Sequence, residues 1–279
     1  MALSRAIETR KPPGERVCSD SFAELFLSGK YKWLLPGRVL RNAVVQLIEA
    51  QFVGHHNYVI ARTRYFDDVV AECLADKHEQ IVILGAGFDS RAYRFADRLQ
   101  GVAVFEVDHP ATSEIKRSKI QDILGSAPAN VVYVPVDFNV DKLSEQLRRN
   151  GYKDQRKTLF LWEGVTPYLT AGAVREVLRF ILSSAGSGSV IVFDYILKSV
   201  VDGTCSMPGA LKEFGKMART SEPLTFGIAE GECSFFLSDI GFHQIRDVGS
   251  QDLSSMYFSR QTEPRNVKPW WRIARATVP

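Results

Sequence analysis

The chain has 279 residues, 45% hydrophobic and 24% charged, with a formal net charge of +3, values typical of a water-soluble globular protein with one large core. So small a charge disfavours a nucleic-acid or membrane surface, and four well-separated cysteines without a C-x-x-C pair disfavour structural zinc and indicate free thiols. We find no signal-peptide core and no apolar run of membrane-spanning length, and therefore expect a cytoplasmic protein with no nucleic-acid, membrane or metal partner.

Residues 1–78 are predicted to form an arm and a helical cap. The first twenty residues are polar and contain two prolines and a glycine, which predicts an extended or loosely ordered arm. Apolar residues then recur near helical spacing, which predicts helices near 22–27, 39–52 and 57–74. Because these helices precede every strand, we expect them to cover a pocket that the strands form.

Residues 80–94, QIVILGAGFDSRAYR, are typical of a buried strand, a glycine turn and the start of a helix. Gly85 and Gly87 carry no Cβ, so the backbone can turn sharply and approach a ligand closely. The helix that follows directs its free N–H groups at that turn, which predicts a nucleotide-type pocket. Ser90 stands where the dinucleotide fingerprint G-x-G-x-x-G has its third glycine. A cofactor without phosphates, such as S-adenosylmethionine, does not need that glycine, and a turn without a ligand also stays open.

Strands and helices alternate from residue 80 onward. Further strand-like runs at 102–108, 131–137, 158–163 and 189–194 predict an α/β core over 79–196, a doubly wound sheet with right-handed crossovers. Residues 197–232 are rich in glycine and proline and predict a lid or substrate segment. Residues 233–279 return to strand-like sequence and are predicted to complete the sheet within a single domain.

Three predicted strands end in an acid. Asp108, Asp137 and Glu163 follow the second, third and fourth strands, and the carboxyl ends of parallel strands meet at one crevice. Asp108, about 20 residues past the turn, is placed to accept ribose hydroxyls. Asp137, with Phe138 beside it, suits an adenine ring, and Glu163 suits an ammonium group. Three carboxylates favour a cationic cofactor and would repel a polyphosphate.

Simpler structural roles stay open for these acids. Asp108 and Asp137 are also suited to cap the helices that follow their strands. Glu163 precedes Gly164 and is compatible with a position that only faces solvent. Arg62, on a cap helix, is compatible with a surface ion pair, yet its guanidinium can also bind the carboxylate of a cofactor through two parallel hydrogen bonds.

Five segments occur in order: ARTRYFDD (61–68), LGAGFDSRAYR (84–94), FEVDHP (105–110), VPVDF (134–138) and LWEGVTPYL (161–169). With them, residues 58–196 resemble the leucine carboxyl methyltransferase family of S-adenosylmethionine-dependent O-methyltransferases. That family includes protein phosphatase carboxyl methyltransferases and many bacterial O-methyltransferases of small molecules. The resemblance implies a Rossmann-like class I methyltransferase sheet of seven strands, the last one antiparallel, with a helical N-terminal cap.

The resemblance also implies a set of cofactor-binding residues. It places Arg62 at the methionyl carboxylate, Asp108 at the ribose with His109 beside it, and Glu163 near the amino-acid tail. The other implied contacts are Gly85, Ala86 and Gly87 at the turn, Asp137 and Phe138 at the adenine, and Tyr168 at the pocket border. Residues 165–167 differ from the family's pattern, so the acceptor does not carry over.

The acceptor is predicted to be a carboxylate of a small molecule or of a protein C-terminus. A carboxylate, with a pKa of about 4, is ionised at neutral pH and needs no general base. A phenol or hydroxyl acceptor would need one, and His56, Tyr168 and Arg62 are the candidate pocket residues. A nicotinamide-dependent oxidoreductase and a non-catalytic binding scaffold stay open as alternatives, as does the choice between monomer and dimer.

Overall fold

The computed structural model describes residues 1–137, 141–217, 223–259 and 265–279. Its strands are β1 (Gln80–Leu84), β2 (Ala103–Asp108), β3 (Val131–Pro135), β4 (Thr158–Trp162), β5 (Val190–Ile196), β6 (His243–Val248) and β7 (Trp271–Thr277). Its helices are α1 (Ala2–Thr9), α2 (Ala23–Phe26), α3 (Gly29–Lys32), α4 (Arg38–Gln51), α5 (His55–Ala75), α6 (Arg91–Arg94), α7 (Pro110–Leu124), α8 (Leu143–Arg149), α9 (Ala171–Ser184), α10 (Lys198–Val201), α11 (Ala210–Met217), α12 (Cys233–Ile240) and α13 (Ser250–Tyr257), with short 3₁₀ helices at Ala96–Arg98 and Thr166–Tyr168.

The strands form one sheet in the order β3-β2-β1-β4-β5-β7-β6. Strands β1 to β5 pair in parallel, and β7 runs antiparallel to both of its neighbours. This confirms the predicted α/β class and the seven-stranded sheet with an antiparallel last strand. The chain reverses its direction of travel across the sheet between β1 and β4, so the carboxyl ends of these two strands flank a crevice.

The core lies on both faces of the sheet because successive side chains of a strand point to opposite faces. Ile81 and Ile83 of β1 belong to an apolar cluster with residues of α5 and α13. Val82 and Leu84 belong to a second cluster, formed with residues of α8, α9 and α12. All five residues of β1 are buried, as expected for a parallel strand that is covered on both sides.

The N-terminal arm differs from the prediction. Residues 2–9 form α1 rather than an extended arm, and Ala6 and Ile7 pack with Ala23, Leu27 and Leu35. So short a helix is marginal by itself, and its buried contacts stabilise it. The two prolines and the glycine that suggested an extended chain lie after α1, where they end it.

Part of the segment 197–232 packs against the core. A bridge joins Leu197 to Ile228, and Leu224, Phe226 and Ile228 are buried. Residues 218–222 of this segment lie outside the described residues. Among the helices that the structure describes, none is long and apolar enough to cross a membrane.

Candidate active site

A cavity of about 380 Å³ lies at the carboxyl ends of β1 and β4. Its walls come from the start of α1, the glycine turn after β1, the beginning of α6 and residues 163–165 after β4. The cavity therefore sits at the topological switch point of the sheet, and its volume is in the range of small-molecule sites. Of the predicted residues, Gly85, Ala86, Gly87 and Glu163 line it directly.

The glycine turn depends on the absence of side chains. Gly85 has a φ of +64° and Gly87 a φ of +40°, the left-handed region that favours glycine. A Cβ on Gly85 would lie 2.3 Å from a methyl group of Val165. The turn thus brings β1 against the loop after β4 and leaves its backbone exposed to the cavity.

Asp108 lies at the end of β2 and is bonded to the turn. Its carboxylate accepts hydrogen bonds from the N–H of Gly87 and from the N–H of His109, the latter at 2.7 Å. His109, not Asp108, is the N-cap of α7, where its Nδ1 accepts from the N–H of Ala111 at 3.3 Å. The helix-capping alternative is therefore wrong for Asp108, and contact of either residue with a cofactor stays a prediction.

The two residues predicted to bind adenine are described only in part. Asp137 follows β3 at the same sheet edge, is half-buried, and donates its N–H to the carboxylate of Asp141 at 2.9 Å. Phe138, predicted beside the adenine, lies outside the described residues.

Arg62 is buried behind the cavity between two acids. One guanidinium nitrogen bonds to the carboxylate of Asp194, and another lies 3.0 Å from Oε1 of Glu163. Burial opposes the charge, but the two carboxylates outweigh this effect and raise the pKa of Arg62. A cofactor carboxylate at this guanidinium would share it with both acids, so the predicted role of Arg62 stays a prediction.

Asp194 is a site residue that the sequence analysis missed. It is fully buried in β5, and its carboxylate also accepts from the N–H of Gly164 at 2.6 Å and the hydroxyl of Tyr58 at 3.2 Å. A signal was present, since Asp194 is the only charged residue in the apolar run 189–197. Its partners, 30 or more residues away, are brought to it only by the sheet.

Glu163 is held by a second arginine as well. Nη1 of Arg91 lies 2.7 Å from Oε2 of Glu163, and the same guanidinium bonds to Asp89 and, at 2.8 Å, to Asp67. Although burial raises the pKa of Glu163, Arg62 and Arg91 lower it to about 2. Glu163 is therefore an anion flanked by two cations, where the sequence predicted a partner for an ammonium group.

Like Arg62, Asp108, His109 and Asp137, the two remaining predicted pocket residues are not among the described residues that line the cavity. Tyr168 lies in the 3₁₀ helix after β4 and packs against the apolar cluster that contains Ile81. His56 is 2% exposed, and its Nε2 is 3.8 Å from the carboxylate of Glu8. His56 lines a separate groove on the outer side of α1.

The residues present fit a cofactor with a nucleoside and an amino-acid tail. The side-chain-free turn at Gly85 opens the backbone to the cavity, and Asp108 stands beside it where a ribose would need an acceptor. Arg91 and Glu163 form the other wall, with Arg62 paired to Glu163 behind it. Such a wall suits the charged groups of an amino-acid tail.

Comparison with known proteins shows which sequences this chain resembles. Residues 1–182 match the family described as leucine carboxyl methyltransferase. YktD of Bacillus subtilis, named as an S-adenosyl-L-methionine-dependent methyltransferase, is 30% identical over 207 residues, which cover 73% of this chain and 67% of YktD. A protein of the same description from Mycobacteroides abscessus is 28% identical over 278 residues, which cover 97% of this chain and 89% of that protein.

A solved structure shares the fold. The crystal structure of a DUF574 family protein from Streptomyces avermitilis has a TM-score of 0.61 and 13% identity to this chain. The match covers 89% of this chain and 95% of that one. At so low an identity the likeness shows the fold alone.

Proposed function

Because this chain belongs to the leucine carboxyl methyltransferase family and is an S-adenosylmethionine-dependent methyltransferase, we propose that it methylates a carboxylate oxygen of a small molecule or of a protein C-terminus. The bound cofactor supplies an electrophilic methyl group. An acceptor carboxylate is already ionised at neutral pH and attacks without a general base. The relatives are described as S-adenosyl-L-methionine-dependent, which favours that cofactor over a nicotinamide. They are also described as methyltransferases, which favours an enzyme over a non-catalytic scaffold.

The single observation that supports a carboxylate acceptor is that the described residues lining the cavity offer no side chain suited to act as a general base. None of them is a histidine. Three acids line the cavity. Asp20 is paired with Arg5 at 2.8 Å, and neighbouring arginines outweigh desolvation and lower the pKa of the Glu163 and Asp89 carboxyls. Carboxylates of such low basicity are poor acceptors for the proton of a phenol or an alcohol.

The protein then aligns the cofactor with the acceptor and excludes water from the cavity, and it does not need to transfer a proton. The turn at Gly85 and the carboxylate of Asp108 hold one end of the cavity in place. The ion pairs of Arg62 and Arg91 with Glu163 fix the opposite wall. Ala2 and Arg5, at the start of α1, cover the cavity and help to exclude water.

A methyl-transfer assay with tritium-labelled S-adenosylmethionine tests the proposal. Peptides with a free C-terminal leucine and simple aliphatic acids serve as acceptors, and the C-terminal amides of the same peptides serve as matched controls. Label transferred to a carboxylate should be released as volatile methanol by mild alkali, whereas label on a phenol or alcohol should resist it. Alkali-stable product on a phenol panel, with none on the acids, would contradict the proposal and favour a hydroxyl acceptor.

A further inference from the structure

A second and larger cavity, here called the outer groove, lies on the side of α1 that faces away from the cofactor cavity. Its volume is about 1500 Å³, above the usual range of small-molecule pockets. Ala2 and Arg5 of α1 line the cofactor cavity, whereas Ile7 lines the outer groove. The remaining walls come from residues 10–17, α4, α5, the end of α13 and residues 259, 265 and 266.

The outer groove carries an excess of positive charge. Among the described residues that line it, seven are lysine or arginine and three are acidic. Two of those acids are already engaged within the chain. Glu49 accepts from the N–H groups of Gly54 and His56, and Asp68 pairs with Arg64 at 2.8 Å. Asp68 neutralises one of the seven cations, and Arg10 and Lys11 pair with Glu24 and Glu8, which leaves four cations of the groove without a described carboxylate.

Four arginines of the outer groove have no carboxylate partner in the described part of the chain: Arg16, Arg38, Arg41 and Arg265, whose guanidinium lies over the ring of Phe258. Arg41 donates to the carbonyl of Leu35 at 2.7 Å, and Arg16 and Arg38 make no ion pair with any described residue. The lining also includes His56, 2% exposed, whose Nδ1 has no hydrogen-bond partner there. The groove thus combines guanidinium groups that lack a counter-charge among the described residues with a buried ring nitrogen that lacks a hydrogen-bond partner, and an anionic ligand would supply the missing charge.

We infer that the outer groove binds an acidic peptide segment of a partner protein, with carboxylates that pair with Arg16, Arg38 and Arg41. The volume exceeds the needs of one small anion, and the arginines come from different walls of the groove. A nucleic-acid strand would require aromatic faces on which bases stack. The aromatic ring that the described lining provides is Tyr257, which Arg64 covers and whose hydroxyl bonds to Asp68 at 2.9 Å.

Fluorescence anisotropy tests this inference with the full chain and a fluorescein-labelled octaglutamate peptide. We expect saturable binding that weakens as ionic strength rises, because salt screens exposed charges. The double variant Arg16→Ser/Arg38→Ser is expected to bind at least about tenfold more weakly, since it loses two charge-assisted contacts. A labelled octaglutamine peptide is expected not to bind.

Arg149→Ser/Arg179→Ser is the matched control, because it removes the same charge from exposed positions on or beside α8 and α9. It should leave octaglutamate binding unchanged. Both double variants should keep their affinity for S-adenosylmethionine in calorimetry, which shows that they are folded and separates this inference from the proposed function. Absence of octaglutamate binding, equal weakening in both double variants, or tighter binding of a labelled octathymidylate would each overturn the inference.

Discussion

Gly85 illustrates how one residue fixes the geometry of the cavity. A side chain at this position would be destabilising for two reasons. The backbone is left-handed, and a Cβ would lie 2.3 Å from Val165. We expect Gly85→Ala to lower the free energy of unfolding by about 3 kcal/mol and to weaken S-adenosylmethionine binding, as urea titration and calorimetry would measure.

Gly101 offers the matched control for Gly85. Its φ of +80° is also left-handed, but a Cβ there would meet no atom within 4 Å. Gly101→Ala should therefore cost about 1–2 kcal/mol from backbone strain alone and leave cofactor binding intact. If both variants bind S-adenosylmethionine like the unmodified protein, close packing at Gly85 does not shape the site.

Asp194 holds Arg62 in place from inside the sheet. Asp194→Asn removes the counter-charge of a buried guanidinium, which is expected to cost about 3–5 kcal/mol of stability. Because Arg62 also contacts Glu163 in the cavity wall, we expect the Kd for S-adenosylmethionine to rise at least about tenfold. Urea titration and calorimetry measure the two effects.

Asp247 provides the comparison for Asp194. It also pairs with an arginine, Arg272 at 2.8 Å, and accepts from the hydroxyl of Tyr195, but it lies in β6 at the edge of the sheet. Asp247→Asn should lower stability without a change in cofactor affinity. A folded Asp194→Asn protein with unchanged affinity would show that Asp194 has only a structural role.

At the scale of elements, α1 is anchored by a buried charge. The carboxylate of Glu8 is fully buried, accepts from the N–H of Val17 at 2.8 Å, and pairs with Lys11 at 2.6 Å. Burial raises its pKa, but His56 and Lys11 outweigh this and lower it from 4.5 to about 2. α1 therefore closes over the cavity while its far end is tied to the rest of the cap.

The lowered pKa of Glu8 sets the sign of a pH dependence. Since the folded pKa lies below the unfolded one, the stabilisation is complete above about pH 4.5 and is lost as the pH falls toward about 2. We expect Glu8→Gln to lose about 3 kcal/mol at pH 7 and to show a flatter decline of unfolding free energy between pH 5 and 2. Urea titrations at a series of pH values measure this.

Glu24→Gln is the control on the same arm. Glu24 pairs with Arg10 near the surface, where such pairs contribute little. Glu24→Gln should therefore leave nearly unchanged both the stability at pH 7 and the decline of unfolding free energy between pH 5 and 2. If Glu8→Gln loses stability between pH 5 and 2 as steeply as the unmodified protein, protonation of Glu8 does not cause that decline.

For the whole molecule, cofactor binding should appear as thermal stabilisation. A ligand at 100 times its Kd adds about 2.7 kcal/mol, which corresponds to a rise in Tm of about 5 °C. We expect this rise with S-adenosylmethionine and S-adenosylhomocysteine but not with NAD at the same concentration. Differential scanning fluorimetry measures it directly.

The contribution of Asp108 is tested in the same measurement. Asp108→Ala should abolish the rise in Tm, because the predicted ribose contact and the bond to the turn are both lost. Asp122→Ala, an exposed position in α7, should keep it. Stabilisation by NAD alone would contradict the assignment of the cofactor.

The sequence by itself determined the fold class and the nature of the cofactor. Buried strands followed by glycine or acid, alternating with helices, are local patterns, since each depends on residues that are close together in the chain. The run QIVILGAG and the acid that ends β2 could therefore be identified from the local sequence alone. The antiparallel placement of the last strand came from the family resemblance, and the structure confirmed it.

Only the tertiary structure decided which charged side chains form ion pairs and whether the N-terminal segment forms a helix. Arg62, Glu163 and Asp194 are far apart in sequence and become partners because parallel strands bring their carboxyl ends together. The local sequence pattern did not predict α1, because contacts with α2 and α5 stabilise this helix. His56 faces the outer groove because of the direction in which α5 packs, and no spacing rule of the sequence fixes that direction.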